Sequence, residues 1–472
     1  MIVTLNNQDQ TIFLPLVDFH THIGRVKIET TKGSSQRVNM PKNIVQLYEK
    51  LQYEIHKRIS QNPDNYYIKL PPVEEFSKPL YPFVQQILDL KTKKSRGWIV
   101  DHIICFPFND IFHKKTEPKF VKSNQYVLHQ LQTMDNCFRF IPFCRVDVMD
   151  EGAVKEVKSS IAAGARGLKL HPLSQGWIDK IDSTSCKIVL QTAGESFIPV
   201  IFDVPNKGVA LDITKTSEEA RSESSIPINV VLGHTAFDYN AKEIFECISK
   251  TGMYTETSGM RGKDVEIFFN NVMEVEMWWD KILFGTDSNY FGVLQAADFI
   301  TFLLSTKFVE LLEAHECEVE PLTAAAKILG GNALQIVPKS WKTIGLNPNG
   351  ENGKKKKKSK RKKLLGDLNG LHLLLKKHLV QKNNNAVIDI TKLPDYDKPI
   401  QVLTLGNNGQ KKSFSLSIEE KKQKLTFYPF PKGLDQYPDI TMKELTNVES
   451  FFKFKGRISK QKLTEKTFLE SW

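Results

Sequence analysis

The sequence predicts an α/β protein: a (β/α)8 TIM barrel over residues 1–340, followed by a basic linker and a small C-terminal domain with β character. Three observations predict it. Short apolar runs recur eight times in the first 330 or so residues, with amphipathic stretches between them. A lysine-rich stretch then breaks the composition. Beyond it, further strand-like runs follow without helices to separate them.

The eight runs occupy residues 14–19, 98–106, 138–146, 167–170, 199–202, 228–232, 252–255 and 282–284, and each is rich in β-branched or aromatic residues. Between them, stretches such as 152–163 and 238–250 carry the helical period. Strand–helix alternation of this kind builds a parallel sheet with helices outside it. The long gap between the first two runs predicts a helical insertion over residues 25–97. It should sit near the loops that hold active sites in this fold. The linker covers residues 345–363, and within 354–363 every residue except Ser359 is Lys or Arg. Like charges this dense repel and stay solvated. In residues 364–472, a helix is expected at 368–379 with Asp367 as N-cap. Strands are expected at 386–390, 400–405, 413–418 and 424–428.

Composition excludes several classes. With 40% hydrophobic and 25% charged residues, the chain of 472 residues is globular rather than disordered. No run approaches the roughly 20 apolar residues that span a bilayer. The N-terminus lacks a basic start with a long apolar stretch, so no secretory signal is expected. The six cysteines are scattered without a CxxC pair, which reads as reduced thiols and a cytoplasmic protein. The net charge of +11 is unevenly placed: residues 1–338 carry 36 basic and 41 acidic side chains, and residues 339–472 carry 29 and 13. An acidic barrel with a basic appendage suggests two modules with different tasks. The basic run suits electrostatic contact with nucleic acid or an acidic partner. It contains no aromatic residue to stack bases, which argues against sequence-specific single-strand binding.

The chemistry concentrates at the ends of the runs. Val17-Asp18-Phe19-His20-Thr21-His22-Ile23-Gly24 places two histidines two apart at the first strand's end. Side chains alternate along a strand, so both imidazoles face one side and can reach one ion. Lys169 and His171 end the fourth run, Asp203 the fifth, His234 the sixth and Asp287 the eighth. Each could be an ordinary hydrogen-bonded polar residue. Yet placing charge at the end of an apolar buried strand costs desolvation unless something pairs with it. Five such ends on one face point to a site. Arg145, ending the third run, is a candidate for gripping an anionic substrate, because its planar fork binds carboxylates bidentately. Glu256, after the seventh run, receives no role from the sequence.

Taken in order and spacing, D-F-H-T-H-I-G, G-L-K-L-H-P, V-V-L-G-H-T, I-L-F-G-T-D and the closing K-I-L-G-G-N-A-L resemble the amidohydrolase superfamily. The closest resemblance is to its branch related to aminocarboxymuconate semialdehyde decarboxylase, and it covers about residues 14–337. It implies that His20 and His22 bind a divalent metal: Zn first, with Mn or Fe as alternatives. Asp287 would be a further ligand, or the base that takes a proton from water. His234 would hydrogen-bond or protonate the substrate, or act as a ligand in a two-metal variant. Lys169 would be a carboxylated bridge between two ions, an unmodified lysine binding a substrate carboxylate, or a structural salt bridge; the pattern favours the unmodified one. His171 would line the pocket. One departure stands out: where most relatives carry histidine, this chain has Asp203. A carboxylate ligand there would harden the site and tilt it toward Mn.

The implied function is a metal-dependent hydrolase that uses metal-activated water on an amide, ester or lactone-type bond of a small molecule. The alternatives are a non-oxidative decarboxylase on the same site, and a catalytically impaired barrel that serves as a scaffold with a basic binding tail. A homo-oligomer is compatible with either.

Overall fold

The structure is a computed structural model. It describes residues 1–6, 11–30, 33–39, 41–70, 99–100, 102–108, 118–132, 140–288 and 291–337, together with five strands between residues 379 and 429. Strands β1 (Ile2–Leu5) and β2 (Thr11–Phe13) form an antiparallel pair ahead of the barrel. The barrel's first strand is β3 (Val17–Thr30), whose far half folds back on β4 (Gly33–Asn39). Helix α1 (Pro41–Gln61) and the short β5 (Ile68–Lys69) follow, β5 pairing with β1. The remaining barrel strands are β6 (His102–Pro107), β7 (Phe140–Pro142) continued by β8 (Cys144–Arg145), β9 (Leu168–Leu170), β10 (Val200–Phe202), β11 (Val230–Leu232), β12 (Met253–Glu256) and β13 (Ile282–Leu283).

All neighbouring barrel strands pair in parallel. The two ladders meet where Phe143 N donates to Cys105 O at 2.8 Å, and the ring closes where Phe19 N donates to Phe284 O at 2.8 Å. The fold is therefore the predicted (β/α)8 barrel, with all eight predicted runs in its wall. Strands such as β6, β9, β10 and β11 are buried along their whole length, which explains why they read as continuous apolar runs.

The helices that clothe the barrel are α2 (Val121–Gln132), α3 (Ala153–Ala162), the one-turn α4 (Pro172–Gln175), α5 (Thr184–Glu195), α6 (Lys207–Ser224), α7 (Lys242–Ser249), α8 (Gly262–Val272) and α9 (Val293–Leu303). Their starts are encoded locally: Ser183 caps α5 by accepting from Cys186 N, and Asn206 caps α6 by accepting from Val209 N. None of the helices among the described residues is long and apolar enough to cross a membrane.

The insertion contains a helix, α1, but it also contains strands that the expectation of a helical segment did not include. Residues 24–30 and 33–39 form a β-hairpin before α1 begins. The cause is visible in Arg25-Val26-Lys27-Ile28-Glu29-Thr30, whose period of two with β-branched residues favours a strand. Helix α1 presents Ile44, Tyr48, Leu51, Ile55 and Ile59 as one buried stripe, and Arg58 pairs with Asp298 on α9. Residues 71–97 of the predicted insertion lie outside the described residues, as do the linker and the expected helix at 368–379 up to residue 378.

In the C-terminal part, β14 (Leu379–Lys382), β15 (Asn385–Asp389), β16 (Gln401–Leu405), β17 (Lys411–Glu419) and β18 (Lys424–Pro429) form an antiparallel sheet in the order β14-β15-β18-β17-β16. Four of these strands fall on predicted runs. The fifth, β14, begins at the last residue of the expected helix.

Candidate metal centre

Because neighbours in the barrel run parallel, every strand delivers its last residue to the same rim. His20 and His22 come from β3, Lys169 from β9, Asp203 from the residue after β10, His234 from beyond β11, Glu256 from the end of β12 and Asp287 from the loop after β13. All but Asp203 are buried.

His20 is held from both sides. Its Nδ1 lies 2.9 Å from Glu256 Oε1, and its Nε2 lies 3.3 Å from Lys169 Nζ. Burial, reinforced by the Lys169 charge, pushes its pKa down to about 3, so the ring is neutral. Nδ1–H then donates to the carboxylate, and the Nε2 lone pair faces Lys169 Nζ. The His22 ring lies 5.4 Å from that of His20 and stacks on Phe108 at 4.8 Å. Burial, with the nearby Lys169, holds its pKa well below the usual histidine range. Its Nε2 is 3.7 Å from Asp287 Oδ1. Asp287 sits at φ +41°, a left-handed conformation unusual for aspartate. Burial pushes its carboxyl up to about 7, against the pull of His234 and Lys169. Among the described residues, its Oδ1 has no hydrogen-bond partner.

A second group is compensated internally. Asp203 Oδ2 is 3.3 Å from His234 Nε2 and 3.7 Å from Lys169 Nζ, and Asp203 Oδ1 is 3.5 Å from His171 Nδ1. Burial alone would raise the Asp203 pKa, but Lys169 and the two histidines outweigh it and hold it well below the usual range. Burial opposes protonation of His234, yet its hydrogen bond to Asp203 and the charges of Glu256 and Asp203 leave its pKa raised. Its Nδ1 is 2.7 Å from Ser258 Oγ. His234 opens an unusual turn: His234, Thr235, Ala236 and Phe237 all have φ between 49° and 58°. Phe237 thereby stacks on the His234 ring at 4.6 Å.

Two sets of ligand atoms lie within 4.8 Å of one another: His20 with His22 and Asp287, and His20 with His234 and Glu256. The first fits a divalent ion. It offers two neutral imidazoles and a buried carboxylate oxygen without a hydrogen bond, a donor set suited to Zn or a neighbouring transition metal. In the second set, Glu256 is already committed. Its Oε1 accepts from His20 Nδ1, from His234 N at 2.6 Å and from Ser258 Oγ at 2.8 Å, while Oε2 accepts from Ser258 N at 2.8 Å. Glu256 is thus a supporting carboxylate that fixes the tautomer and aim of His20. Room for it depends on Gly285, where a Cβ would collide with Oε2.

The structure brings His20, His22 and Asp287 together as expected. Asp203 stands apart from that set, facing Lys169, His171 and His234, in contrast to the expected role as a replacement ligand. Lys169 lies between the two groups. His171 reaches the rim, where its Nδ1 also faces Ser174 N at the start of α4. Arg145 departs from the expected substrate grip. Its guanidinium is buried, donating to Phe108 O and to Ser174 Oγ at 2.7 Å, and it stacks over Phe120 at 4.7 Å.

Two carboxylates passed over by the sequence reading prove central. Glu256 ends an otherwise apolar strand, the same signal that marked its neighbours. Asp18 is fully buried two residues before His20, in the same alternating register.

No family model matches the chain, and no curated protein matches it. Among solved structures it is similar to an uncharacterised TIM-barrel protein from Bordetella bronchiseptica, at 16% identity and TM-score 0.38, covering 68% of this chain and 98% of that one. It is similar to 5-carboxyvanillate decarboxylase from Sphingomonas paucimobilis at 12% identity and TM-score 0.37, covering 69% and 99%. It is also similar to 4-oxalomesaconate hydratase from Rhodopseudomonas palustris at 15% identity and TM-score 0.39, covering 68% and 95%.

Proposed function

We propose that this chain is a metal-dependent hydrolase that directs water onto an amide, ester or lactone-type bond of a small molecule. The observation that carries the reading is the His20–His22–Asp287 set, with three buried donor atoms within 4.8 Å of one another. Zinc is the ion it suits best, with Mn or Fe as alternatives. Such an ion supplies a Lewis acid that polarises a carbonyl and makes water a ready nucleophile near neutral pH.

The chain's own residues supply the rest. Glu256 takes the Nδ1 proton of His20 as a hydrogen bond, and this leaves Nε2 as the donor atom. With Asp287 Oδ1 in the ligand set, the other oxygen of the same carboxylate would accept a proton from water. His234, whose pKa is raised by its hydrogen bond to Asp203 and the charge of Glu256 against the effect of burial, would serve as the proton donor to the departing atom. Lys169 and His171 form a polar wall for the substrate's polar end. Phe106 and Phe108 pack against the His22 ring and exclude water from its far side.

Metal content by plasma mass spectrometry, on protein purified without chelator, tests this reading. About one equivalent of Zn, Mn or Fe, lost in His20→Ala/His22→Ala, is expected. A metal-free wild type after reconstitution would sink the reading and favour the scaffold alternative. Decarboxylation is the second reading, favoured by the buried Lys169 cation beside the site. Arg145, already donating to Phe108 O and Ser174 Oγ, is a less available second carboxylate grip in this reading. Carbon dioxide release from a panel of aryl carboxylates separates the two.

The cytoplasm is the compartment we propose. The basic run at 354–363 we read as an electrostatic tether for nucleic acid or an acidic partner. Unchanged salt-dependent binding after deletion of residues 345–472 would remove that idea.

A further inference from the structure

Asp18 is fully buried and accepts five hydrogen bonds. Its Oδ1 takes His20 N at 3.1 Å and Thr286 N at 2.9 Å. Its Oδ2 takes Thr21 Oγ1 at 2.8 Å, Thr286 Oγ1 and the hydroxyl of Tyr48. Four of these five donors come from residues directly beside, or identical with, the candidate ligands on β3 and after β13. The same seam is closed by Asp287 N donating to His20 O at 2.8 Å. The fifth donor is different in origin. Tyr48 belongs to α1, inside the insertion, and is itself fully buried. Helix α1 is anchored independently by the Arg58–Asp298 pair to α9, and Tyr67 Oη beyond it donates to Leu303 O at 2.8 Å.

A carboxylate that bridges two strand ends fixes their spacing only as firmly as it is itself held. A hydroxyl delivered by a docked helix supplies that hold, because a buried hydrogen bond to a charged acceptor is among the stronger ones. We propose that Tyr48 is a positioning residue for the metal centre: acting through Asp18, it locks the end of β3 to the loop after β13 and so sets the separation of His20 and His22 from Asp287. The inference rests on the metal-centre reading. It makes the insertion part of the site's framework, where the sequence suggested only a place near the active-site loops.

The test uses the full chain with Tyr48→Phe, which keeps the ring and removes one hydroxyl, and with Thr286→Val as an independent cut of the same seam. Two quantities are read: metal affinity by competition with a chelator, and amide exchange at His20, Thr286 and Asp287 in metal-free protein, with α5 as a remote control. Each variant should weaken metal binding by about 10-fold, the scale expected when an outer partner is lost. Each should also speed exchange at those three amides while leaving α5 unchanged. Variants that lose thermal stability while keeping wild-type affinity and exchange at the seam would overturn the proposal and leave Tyr48 a packing residue. If wild-type protein takes up no metal, the hydrolase reading fails by itself. The exchange measurement then still decides whether Tyr48 holds the seam: faster exchange supports it, and unchanged exchange overturns it. If Tyr48→Phe does not fold, Thr286→Val carries both readouts.

Discussion

The two halves of the barrel mouth solve the same problem in opposite ways. On the side of β9, β10 and β11, every charge has a counter-charge: Asp203 faces Lys169, His171 and His234. On the side of β3 and β13, two neutral imidazoles meet a carboxyl oxygen that has no hydrogen-bond partner among the described residues. Burying uncompensated polar groups costs folding free energy. Under the proposed function, the half whose Asp287 carboxyl oxygen lacks a hydrogen-bond partner among the described residues is the one that would receive the cation. Under the same proposal, the compensated half would handle substrate and protons.

The sharpest way to break this contrast is Glu256→Ala. The carboxylate serves both halves, holding His20 through Nδ1 and His234 through its backbone N–H. Removing one partner of a buried charged network costs about 3–5 kcal/mol, and losing a ligand's outer support costs about 10–100-fold in metal affinity. Chemical denaturation and chelator competition should show both losses together; a loss of stability with wild-type metal affinity would disconnect Glu256 from the centre.

A smaller effect is expected from Asp287→Asn in metal-free protein. Burial raises the carboxyl from 3.8 to about 7, so the folded state binds that proton more tightly than the unfolded one. Its contribution is complete below pH 3.8 and declines as pH rises toward 7. The variant should flatten this part of the stability–pH curve and be no less stable at pH 8. A curve that still declines across that range would assign the dependence to another group.

The smallest change in metal content is expected from Asp203→His. The compensated half lies outside the ligand set, so about one equivalent of metal should remain. Activity should fall, because His234 loses the partner that keeps its pKa raised. A marked change in metal identity or affinity would restore Asp203 to the ligand set.

Much of this was legible in the sequence because barrel strands are short and apolar, with polar residues at their ends. His20, His22 and Asp287 were found by that rule, and Glu256 obeyed it without attracting a role. What the sequence could not show was partnership across the ring. Arg145 has the chemistry of a substrate grip, but its surroundings at Phe108, Phe120 and Ser174 are far apart in the chain and turn it inward. Tyr48 and Asp18 are thirty residues apart and carry no spacing code. The hairpin of residues 24–39 was overlooked because a period-of-two pattern continues directly from the barrel strand.

The turn from His234 to Phe237 bears on the order in which the molecule is assembled. Four consecutive non-glycine residues in the left-handed region cost about 1–2 kcal/mol each in isolation. The segment therefore has no tendency to form by itself. What holds it comes from β12: Glu256 Oε1 on His234 N, Glu256 O on Thr235 Oγ1, and Thr255 Oγ1 on the same hydroxyl. The turn can form only after β11 and β12 have paired. In refolding, recovery of the helical signal should precede exchange protection of the His234 and Thr235 amides, so the barrel exists briefly as a closed wall with an unfinished mouth. Simultaneous recovery of the two signals would show that the turn forms with the wall.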